Sequence, residues 1–309
     1  MNTEPAQVVG IGQCSFDLLG RIGRYPAVDE KVEMSQMLTQ GGGPVATALV
    51  ALARLGVATA FCGRIGDDGY GLRIREGLIA AGVDCRGLLC EPGATSQFAF
   101  VAVEEDSGRR NIFWHRGSAR PLTGAELEVG GLAACRVLHL DGRHVEAALA
   151  AAQQVRRQGG LSVLDGGTLN ADTERLLPLI DHAVISQKFA RQLHSDSHRA
   201  ALDSLLARGA TAATVTCGAG GCHTLSRAGE FFSLPAFAVQ ALDTTGCGDV
   251  FHGGYIYGLL QGWPLRRTVR FAAACAALKT RALGGRTAIP TLAEVEGFLA
   301  DQDFSPKVC

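Results

Sequence analysis

Short apolar runs alternate with longer amphipathic runs along most of this chain. The short runs are rich in β-branched residues and leucine, whereas the longer runs repeat their apolar positions at helical spacing, so the pattern predicts strands alternating with helices. The predicted elements are residues 8–11, 44–55, 58–62, 72–81, 137–140, 145–157, 161–165, 183–186, 199–207, 213–217, a helix from 246 to a break at 262–264, and a helix at 265–279. Such alternation is typical of an α/β fold in which helices cover both faces of a parallel sheet.

Two segments, residues 13–40 and 96–116, interrupt this alternation and are predicted to be extended. In the second segment, apolar residues alternate on either side of a turn at 105–109, namely Phe98, Phe100, Ile112 and Trp114. Alternation around a turn predicts a β-hairpin. We therefore expect a single α/β domain of residues 1–309, with a small β-sheet lid formed by these two segments.

The charge of the chain is almost balanced. Its 309 residues include 29 Lys and Arg against 30 Asp and Glu, which gives a net charge of −1, and no long block of like charge occurs. A protein that binds nucleic acid or an anionic membrane through its charge needs a basic patch, so neither partner is expected. The Ala-rich stretches are interrupted by Arg54, Arg73 and Lys279, so no membrane span is predicted. We expect a small-molecule ligand instead.

The ten cysteines form no Cys-x-x-Cys pair. Several lie at strand-like or helix-like positions and are predicted to be reduced, buried and small apolar side chains, namely Cys62, Cys135, Cys217 and Cys275. The first residues carry no basic region, and the apolar run after them is broken by Gln13 and Asp17, so no signal peptide is predicted. These features favour a cytoplasmic protein.

Residues 243–249, Asp-Thr-Thr-Gly-Cys-Gly-Asp, lead into a predicted helix. Small residues there leave the backbone N–H groups of Gly246, Cys247 and Gly248 unhindered at the positive end of the helix dipole, where a phosphate binds well. Asp249 lies in the first turn beside this anion site and is a candidate general base, so the segment suits phosphoryl transfer. The alternative is an ordinary helix start in which Asp249 only complements the dipole.

Residues 243–254 closely resemble the C-terminal signature of the ribokinase-like (PfkB) carbohydrate kinases, whose usual form is Asp-Thr-Thr-Gly-Ala-Gly-Asp-x-Phe-x-Gly-Gly; only Cys247 departs from it. Residues 41–48, followed by 63–71, are similar to the N-terminal signature of that family. The resemblance implies a doubly wound, mostly parallel α/β fold with a β lid, and a kinase that uses ATP and Mg²⁺. It also implies that Asp249 deprotonates a primary hydroxyl of a ketose-type, fructose-like sugar.

For the sugar, the resemblance implies contacts from Asp17, Gly42, Gly43, Lys31 and Arg143. Asp17 would accept hydrogen bonds from sugar hydroxyls, and the two glycines would bring the backbone close to them. The position that is commonly Asn in the family is Ala46, which makes the chain more similar to the branch of ketohexokinases and 6-deoxy-6-sulfofructose kinases. Lys31 and Arg143 would then bind an anionic tail of the sugar. The alternative is that both are surface charges without a ligand.

For ATP, residues 215–222 resemble the strand-turn-strand that holds the nucleotide in this family. The implied nucleotide contacts are Ser186, Thr216, Gly218, Gly220, Gly221, Gly246 and Gly248. Ser186 and Phe189 replace the usual Asn-x-x-Glu, so Mg²⁺ is expected to be held mainly by ATP and water, or by other side chains. The resemblance also implies a monovalent-cation region, in which oxygen atoms of Asp243, Thr245 and Gly285 could hold K⁺.

Other interpretations stay open at this point. A ribose or nucleoside kinase would share these motifs, and a non-catalytic sugar-sensing protein would share the fold. Gly10-x-Gly12 is similar to a dinucleotide-binding loop but lacks its third glycine, because residue 15 is Ser, so a dehydrogenase is not predicted. His194 and His198 have the spacing of zinc ligands without the Glu of His-Glu-x-x-His and are predicted to be solvated. The expected partners are a sugar and ATP, with a homodimer formed through the β lid.

Overall fold

The computed structural model describes residues 5–127, 129–195 and 197–304. The strands are β1 (Val8–Ile11), β2 (Ser15–Ile22), β3 (Met34–Gly42), β4 (Thr59–Gly66), β5 (Leu88–Glu91), β6 (Phe98–Glu104), β7 (Arg110–His115), β8 (Val137–Leu140), β9 (Leu161–Gly166), β10 (His182–Ser186), β11 (Ala212–Thr216), β12 (Cys222–Ser226) and β13 (Phe231–Leu234). The helices are α1 (Pro44–Arg54), α2 (Gly69–Ala80), α3 (Val129–Leu132), α4 (Val145–Arg157), α5 (Ala171–Leu176), α6 (Gln187–Leu193), α7 (His198–Ala207), α8 (Cys247–Leu260), α9 (Leu265–Lys279) and α10 (Leu292–Phe304).

The larger sheet has nine strands in the order β13-β12-β11-β10-β9-β8-β1-β4-β5. The strands from β11 to β5 are parallel, and β12 and β13 extend the sheet with antiparallel pairing. The strand order reverses between β1 and β8, and in open α/β sheets the ligand crevice lies at such a point, beyond the carboxyl ends of the strands. At that crevice the Gln13 N–H donates a hydrogen bond of 2.7 Å to Asp141 Oδ2, which joins the loops after β1 and β8.

The two faces of the larger sheet are covered by different helices. Successive residues of a strand point to opposite faces, and in β1 Val8 packs with α1, α2, α8, α9 and α10, whereas Val9 packs with α4, α5, α6 and α7. Both valines are completely buried. The predicted α/β fold, with a mostly parallel sheet between two layers of helices, is confirmed.

The two segments predicted to be extended form a second, four-stranded sheet in the order β3-β2-β6-β7. Its inner face packs on the main body through a small apolar cluster that includes Leu19, Ala99, Val101 and Leu283. In the β6–β7 hairpin, Ile112 lies opposite Val101 and Trp114 lies opposite Ala99, whereas Phe100 lies opposite Phe113. Ile112 and Trp114 are therefore on the inner face. Phe98 and Phe100 are on the opposite, outer face, where Phe98, at the start of β6, is still covered by Tyr70 of α2.

Most element boundaries agree with the sequence pattern, and β8, α4 and α9 agree at both ends. Helix α2 begins earlier than predicted, at Gly69, because the Asp68 side chain accepts a hydrogen bond from the Gly71 N–H and caps the helix.

The cysteines in the described part of the chain form no disulfide; Cys90 is exposed and Cys217 is half-buried. Within the described residues, no helix is both long and apolar enough to cross a membrane.

Candidate active site

The loop before α8 is held in a conformation that only glycine adopts easily. Gly246 has φ of 76°, and a Cβ atom there would lie 2.7 Å from the Cα atom of Gly285. Cys247 N–H donates to Thr244 O at 3.3 Å. In the part of the chain that the structure describes, the N–H groups of Gly246 and Gly248 donate to no protein acceptor. These two groups are therefore available to an anion at the positive end of the helix.

Asp249 is half-buried in the first turn of α8, next to a second carboxylate. Burial and the negative charge of Asp165, at the end of β9, raise the pKa of Asp249 to about 7, although the positive charges of His252, Arg110 and Arg286 oppose the shift. Burial also raises the pKa of Asp165. A carboxylate with a pKa near neutrality is suited to exchanging a proton with a substrate.

His252, one turn after Asp249, is fixed by oxygen atoms on both sides of its ring. Its Nδ1 lies 2.7 Å from Gly248 O and 3.4 Å from Asp165 Oδ2, and its Nε2 lies 3.1 Å from Val184 O. Because carbonyl oxygens only accept hydrogen bonds, each ring nitrogen that carries a proton has an acceptor in place. His252 thus places an imidazole ring beside the Asp165 carboxylate.

A cavity of about 700 Å³ lies next to the N-terminus of α8. It is lined by Thr216, Gly218 and Gly221 of the predicted nucleotide segment and by Cys247 and Gly248 of the predicted anion site. The remaining lining includes many small apolar residues that the sequence interpretation missed, among them Pro235, Ala236, Ala238, Ala273, Ala276 and Ala277. Of the predicted nucleotide residues, Ser186, Gly220 and Gly246 do not line this cavity.

Arg110, at the start of β7, reaches the same cavity from the smaller sheet. Its Nη1 donates a hydrogen bond of 2.9 Å to Thr244 Oγ1, and Thr244 Oγ1 donates to Gly108 O at 3.2 Å. The sequence interpretation missed this residue, because a single arginine in a hairpin carries no recognisable signal. The contact places a guanidinium group beside the loop of the anion site.

A second, more polar cavity of about 270 Å³ lies at the switch point of the larger sheet. It contains two arginines, Arg116 and Arg143, and the carboxylates Asp141, Asp165 and Asp172. Burial raises the pKa of Asp141 to about 6, although its carboxylate accepts hydrogen bonds from Gln13 N–H and Arg143 N–H. The cavity offers both donors and acceptors to a hydroxylated ligand.

Strand β7 connects the two cavities. Arg110, Ile112 and Trp114 point to the inner face because they lie opposite Val103, Val101 and Ala99. Arg110 lines the first cavity. The guanidinium group of Arg143, which lines the second cavity, lies over the Trp114 ring, 5.4 Å from the ring centroid. One strand of the smaller sheet therefore contacts the residues of both cavities.

Asp17, Gly42 and Gly43 lie together at the junction of the two sheets. Ser15 Oγ donates to Asp17 Oδ1 at 2.6 Å, and burial raises the pKa of Asp17. A Cβ atom on Gly42 would lie 2.0 Å from Asp17 Oδ2, so only glycine fits there. Arg286 donates to Gly42 O at 2.9 Å and to Thr47 Oγ1 at 3.1 Å, and its charge opposes the pKa shifts of both Asp17 and Asp249.

Lys31 is exposed in the loop between β2 and β3 and lines neither cavity. The cation that shares the second cavity with Arg143 is Arg116 instead.

Ala46 is completely buried in α1, where it is part of the apolar core. The Asn-x-x-Glu positions are also structural in this chain: Ser186 caps α6 by accepting from Phe189 N–H at 3.1 Å, and Phe189 is fully buried.

The predicted monovalent-cation region is occupied by hydrogen bonds within the protein. Asp243 Oδ1 accepts from the Thr245 N–H and hydroxyl, and Asp243 Oδ2 accepts from the Gly284 N–H, at 2.7–2.8 Å. The ammonium group of Lys279, which is completely buried, donates to Asp243 O at 3.0 Å. Burial lowers the pKa of Lys279, while Asp243 and Asp249 oppose the shift. The Lys279 ammonium group is therefore already hydrogen-bonded to an oxygen atom of the region predicted for K⁺.

Comparison with known proteins agrees with this arrangement. The family model described as "pfkB family carbohydrate kinase" matches residues 5–292. The chain is 26% identical to the ATP-dependent ribose-1-phosphate kinase of Halopiger xanaduensis, over 96% of this chain and 99% of that protein, and 29% identical to probable fructokinase-3 of Arabidopsis thaliana, over 87% and 86%. The crystal structure of a putative ribokinase from Agrobacterium tumefaciens superposes with a TM-score of 0.88 at 28% identity, covering 97% of this chain and 99% of that one. The narrower resemblance to ketohexokinases is not confirmed by these matches. The chain belongs to the pfkB family of carbohydrate kinases.

Proposed function

We propose that this protein transfers the γ-phosphoryl group of ATP to a primary hydroxyl of a ketose-type sugar, with Asp249 as the general base. The observation that carries the proposal is the position of the first turn of α8. Cys247 and Gly248 line the first cavity, while Asp249, the next residue, interacts with Asp165, which lines the second. A base between a nucleotide cavity and a sugar cavity suits phosphoryl transfer between their ligands.

The first cavity suits ATP in size and in lining. Its volume of about 700 Å³ lies within the range of small-molecule sites, and its small apolar side chains leave room for a flat base. Mg²⁺ bound with ATP would neutralise part of the phosphate charge. Because Ser186 and Phe189 have structural roles here, these positions supply no carboxylate to the metal, which fits an ion held by phosphate and water.

Asp249 would accept the proton of the sugar hydroxyl. The hydroxyl oxygen would form a bond to the γ-phosphorus of ATP, and the bond between that phosphorus and the ADP oxygen would break. Its raised pKa makes Asp249 a stronger base than an exposed carboxylate, while the carboxylate form is still populated near neutral pH. The N–H groups of Gly246 and Gly248 and the guanidinium of Arg110 would hold the transferred phosphoryl group. Movement of the smaller sheet onto the cleft would exclude water, as expected of a lid.

The second cavity favours a sugar that carries a negative charge. Arg143 and Arg116 both line it, and guanidinium groups bind sulfonate or phosphate by paired hydrogen bonds. The relative from Halopiger xanaduensis is named for a sugar phosphate substrate, which supports such an acceptor class. Asp17, beside Gly42 and Gly43, would accept hydrogen bonds from the sugar hydroxyls, and exposed Lys31 would take part only if its loop moved. Two arginines in the cavity make an uncharged nucleoside the less favoured alternative.

The substrate class is tested by a spectrophotometric screen for ADP release with fructose, 6-deoxy-6-sulfofructose, tagatose phosphate, ribose, ribose 1-phosphate and adenosine. We expect anionic ketoses to give the highest kcat/KM, and Arg143→Ala to lose activity toward anionic sugars much more than toward fructose. Arg109→Ala, an exposed residue of the hairpin turn, is the matched control. Selective activity with adenosine would rule out the ketose proposal. Thermal shifts with sugars but no ADP release from any of them would favour the sugar-sensing protein.

The outer face of the smaller sheet is the surface that we propose for a homodimer. Met37 and Phe113 are 59% and 60% exposed, and both lie on this face because they are opposite Gly20 and Phe100. Exposed apolar side chains on the same face of a sheet mark a candidate interface. Light scattering should give the mass of two chains for the wild type and of one chain for Phe113→Glu; a single-chain mass for the wild type would rule the dimer out.

A further inference from the structure

A group of potential metal ligands lies outside the proposed active site. The group consists of His198, Cys217 and His223, whose ligand atoms, one from each residue, all lie within 4.8 Å of one another. Among the described residues it is the only group of three or more His, Cys, Asp or Glu that meets this criterion. The three residues come from separate elements: the first residue of α7, the residue after β11, and the second residue of β12. Spacing along the chain therefore gives no sign of the group, and His194 is not part of it.

The spacing of the ligand atoms is close to that of a tetrahedral metal site. Cys217 Sγ lies 4.0 Å from His198 Nδ1, and the rings of His198 and His223 have centroids 5.1 Å apart. Zinc bonds of about 2.0–2.3 Å hold neighbouring ligand atoms roughly 3.5 Å apart. The Cys217–His198 pair would have to close by about half an ångström, and no pair by more than about 1.3 Å, to give three bonds to one ion.

Both histidines also have a partner for the ring nitrogen that faces away from the site. His223 lies opposite Ser233 on the neighbouring strand, and its Nδ1 is 2.8 Å from Ser233 Oγ, which leaves Nε2 for an ion. His198 Nε2 lies 3.4 Å from the side-chain amide of Gln187, whose oxygen can accept its proton after an amide flip. Metal-binding histidines usually have such outer partners, which fix the ring and its tautomer.

Arg191 places a positive charge near His198 and Cys217, and a thiolate at Cys217 would offset it when a cation binds. His198 and His223 would bind a metal ion through the neutral form of the imidazole ring. Burial raises the pKa of the Cys217 thiol, while the positive charge of Arg191 opposes this shift; binding would release the thiol proton. All three residues are half-buried, so water can reach a fourth position.

We propose that His198, Cys217 and His223 bind a divalent transition-metal ion of the zinc type, with water as the fourth ligand. A thiolate with two imidazoles selects zinc or cobalt over Mg²⁺, which prefers oxygen. Cys217 stands between Thr216 and Gly218, which both line the first cavity. The ion would tie the loop beside the proposed nucleotide site to α7, but its binding does not depend on kinase activity.

The test is a Co²⁺ titration of the full-length protein after dialysis against a chelator, without ATP. Wild-type protein should show one equivalent of Co²⁺ with a thiolate charge-transfer band in the near ultraviolet. Cys217→Ser should abolish the band, and His198→Gln and His223→Gln should weaken binding by at least about 100-fold. Ser233→Ala should weaken it by about 10-fold to 100-fold, the usual effect of losing an outer partner.

Two variants serve as controls for adventitious binding. Cys90→Ser removes an exposed thiol elsewhere, and His194→Gln removes an exposed histidine near α7; both should bind Co²⁺ as the wild type does. X-ray absorption of the zinc-loaded wild type needs no variant and should show one sulfur at about 2.3 Å and nitrogens at about 2.0 Å. A coordination shell without sulfur, or equal Co²⁺ affinity in wild type and Cys217→Ser, overturns the proposal.

Discussion

Arg110 Nη1 donates a hydrogen bond of 2.9 Å to Thr244 Oγ1, although the two residues are 134 positions apart in the chain. The contact brings a cation from the smaller sheet to the loop that precedes α8. We expect Arg110→Ala to lower kcat roughly 10²-fold, because one donor to the transferred group is lost. Arg109→Ala, its exposed neighbour, is the control. An unchanged kcat for Arg110→Ala would place this arginine outside the chemistry.

Removing the carboxylate of Asp249 should separate binding from catalysis. We expect Asp249→Asn to lose about 10²-fold or more in kcat, the size of a general-base contribution, while calorimetry still detects ATP and sugar binding. Asp203→Asn, an exposed carboxylate of α7 paired with Arg199, should behave as the wild type. Near-wild-type turnover of Asp249→Asn contradicts the assignment.

The raised pKa of Asp249 predicts the direction of the pH dependence. The base acts as the carboxylate, so kcat should fall as the pH decreases through about 7 and level off above it. Asp165→Asn removes a neighbouring negative charge that raises this pKa, so the midpoint of the profile should move to lower pH. Since the two carboxylates titrate together, the profile reports the pair. A midpoint that stays in place in Asp165→Asn argues against this account.

A methyl group at Gly42 should disturb sugar binding selectively. The added Cβ would lie 2.0 Å from Asp17 Oδ2 and must displace that carboxylate. Losing a hydrogen bond to a charged group costs about 1.5–3 kcal/mol, so the KM for the sugar should rise by roughly 10-fold to 100-fold in Gly42→Ala. Gly23→Ala is the control, because a Cβ there has no neighbour within 4 Å. An equal rise in the KM for ATP would contradict a role limited to the sugar.

The position of Lys279 predicts how the enzyme responds to salt. Its ammonium group already supplies a positive charge at Asp243 O, and the Asp243 carboxylate is engaged by Thr245 and Gly284. We therefore expect the same kcat in potassium chloride and in choline chloride at equal ionic strength. Marked activation by K⁺ but not by Na⁺ would show that the ion binds despite the lysine.

The sequence predicted the features of this fold that depend on neighbouring residues. Helices α4 and α9 and strand β8 have the predicted ends, because apolar periodicity and helix-breaking residues are local signals. The sequence did not predict which face of the smaller sheet each side chain of the β6–β7 hairpin lies on. It depends on how β7 is aligned with β6, which places Trp114 on the inner face and Phe100 on the outer.

For the candidate site as well, the sequence indicates some residues and gives no sign of others. The glycines and Asp249 belong to contiguous motifs that can be recognised in the sequence, whereas Arg110 and Arg116 are single residues that reach the cavities only through the fold. His198 illustrates the same limit. His194, four residues earlier, is not part of the group. The spatial neighbours of His198 are Cys217, directly after β11, and His223, on β12 of the larger sheet.

Arg286 links two parts of the chain that are made at very different times. Its guanidinium group donates to Gly42 O across 244 residues, so the region of Gly42 that we propose for the sugar is completed by a residue made much later. A nascent chain that has exposed α1 and the smaller sheet still lacks both Arg286 and α8. The contact at Gly42 O therefore forms only after the chain has been made as far as Arg286.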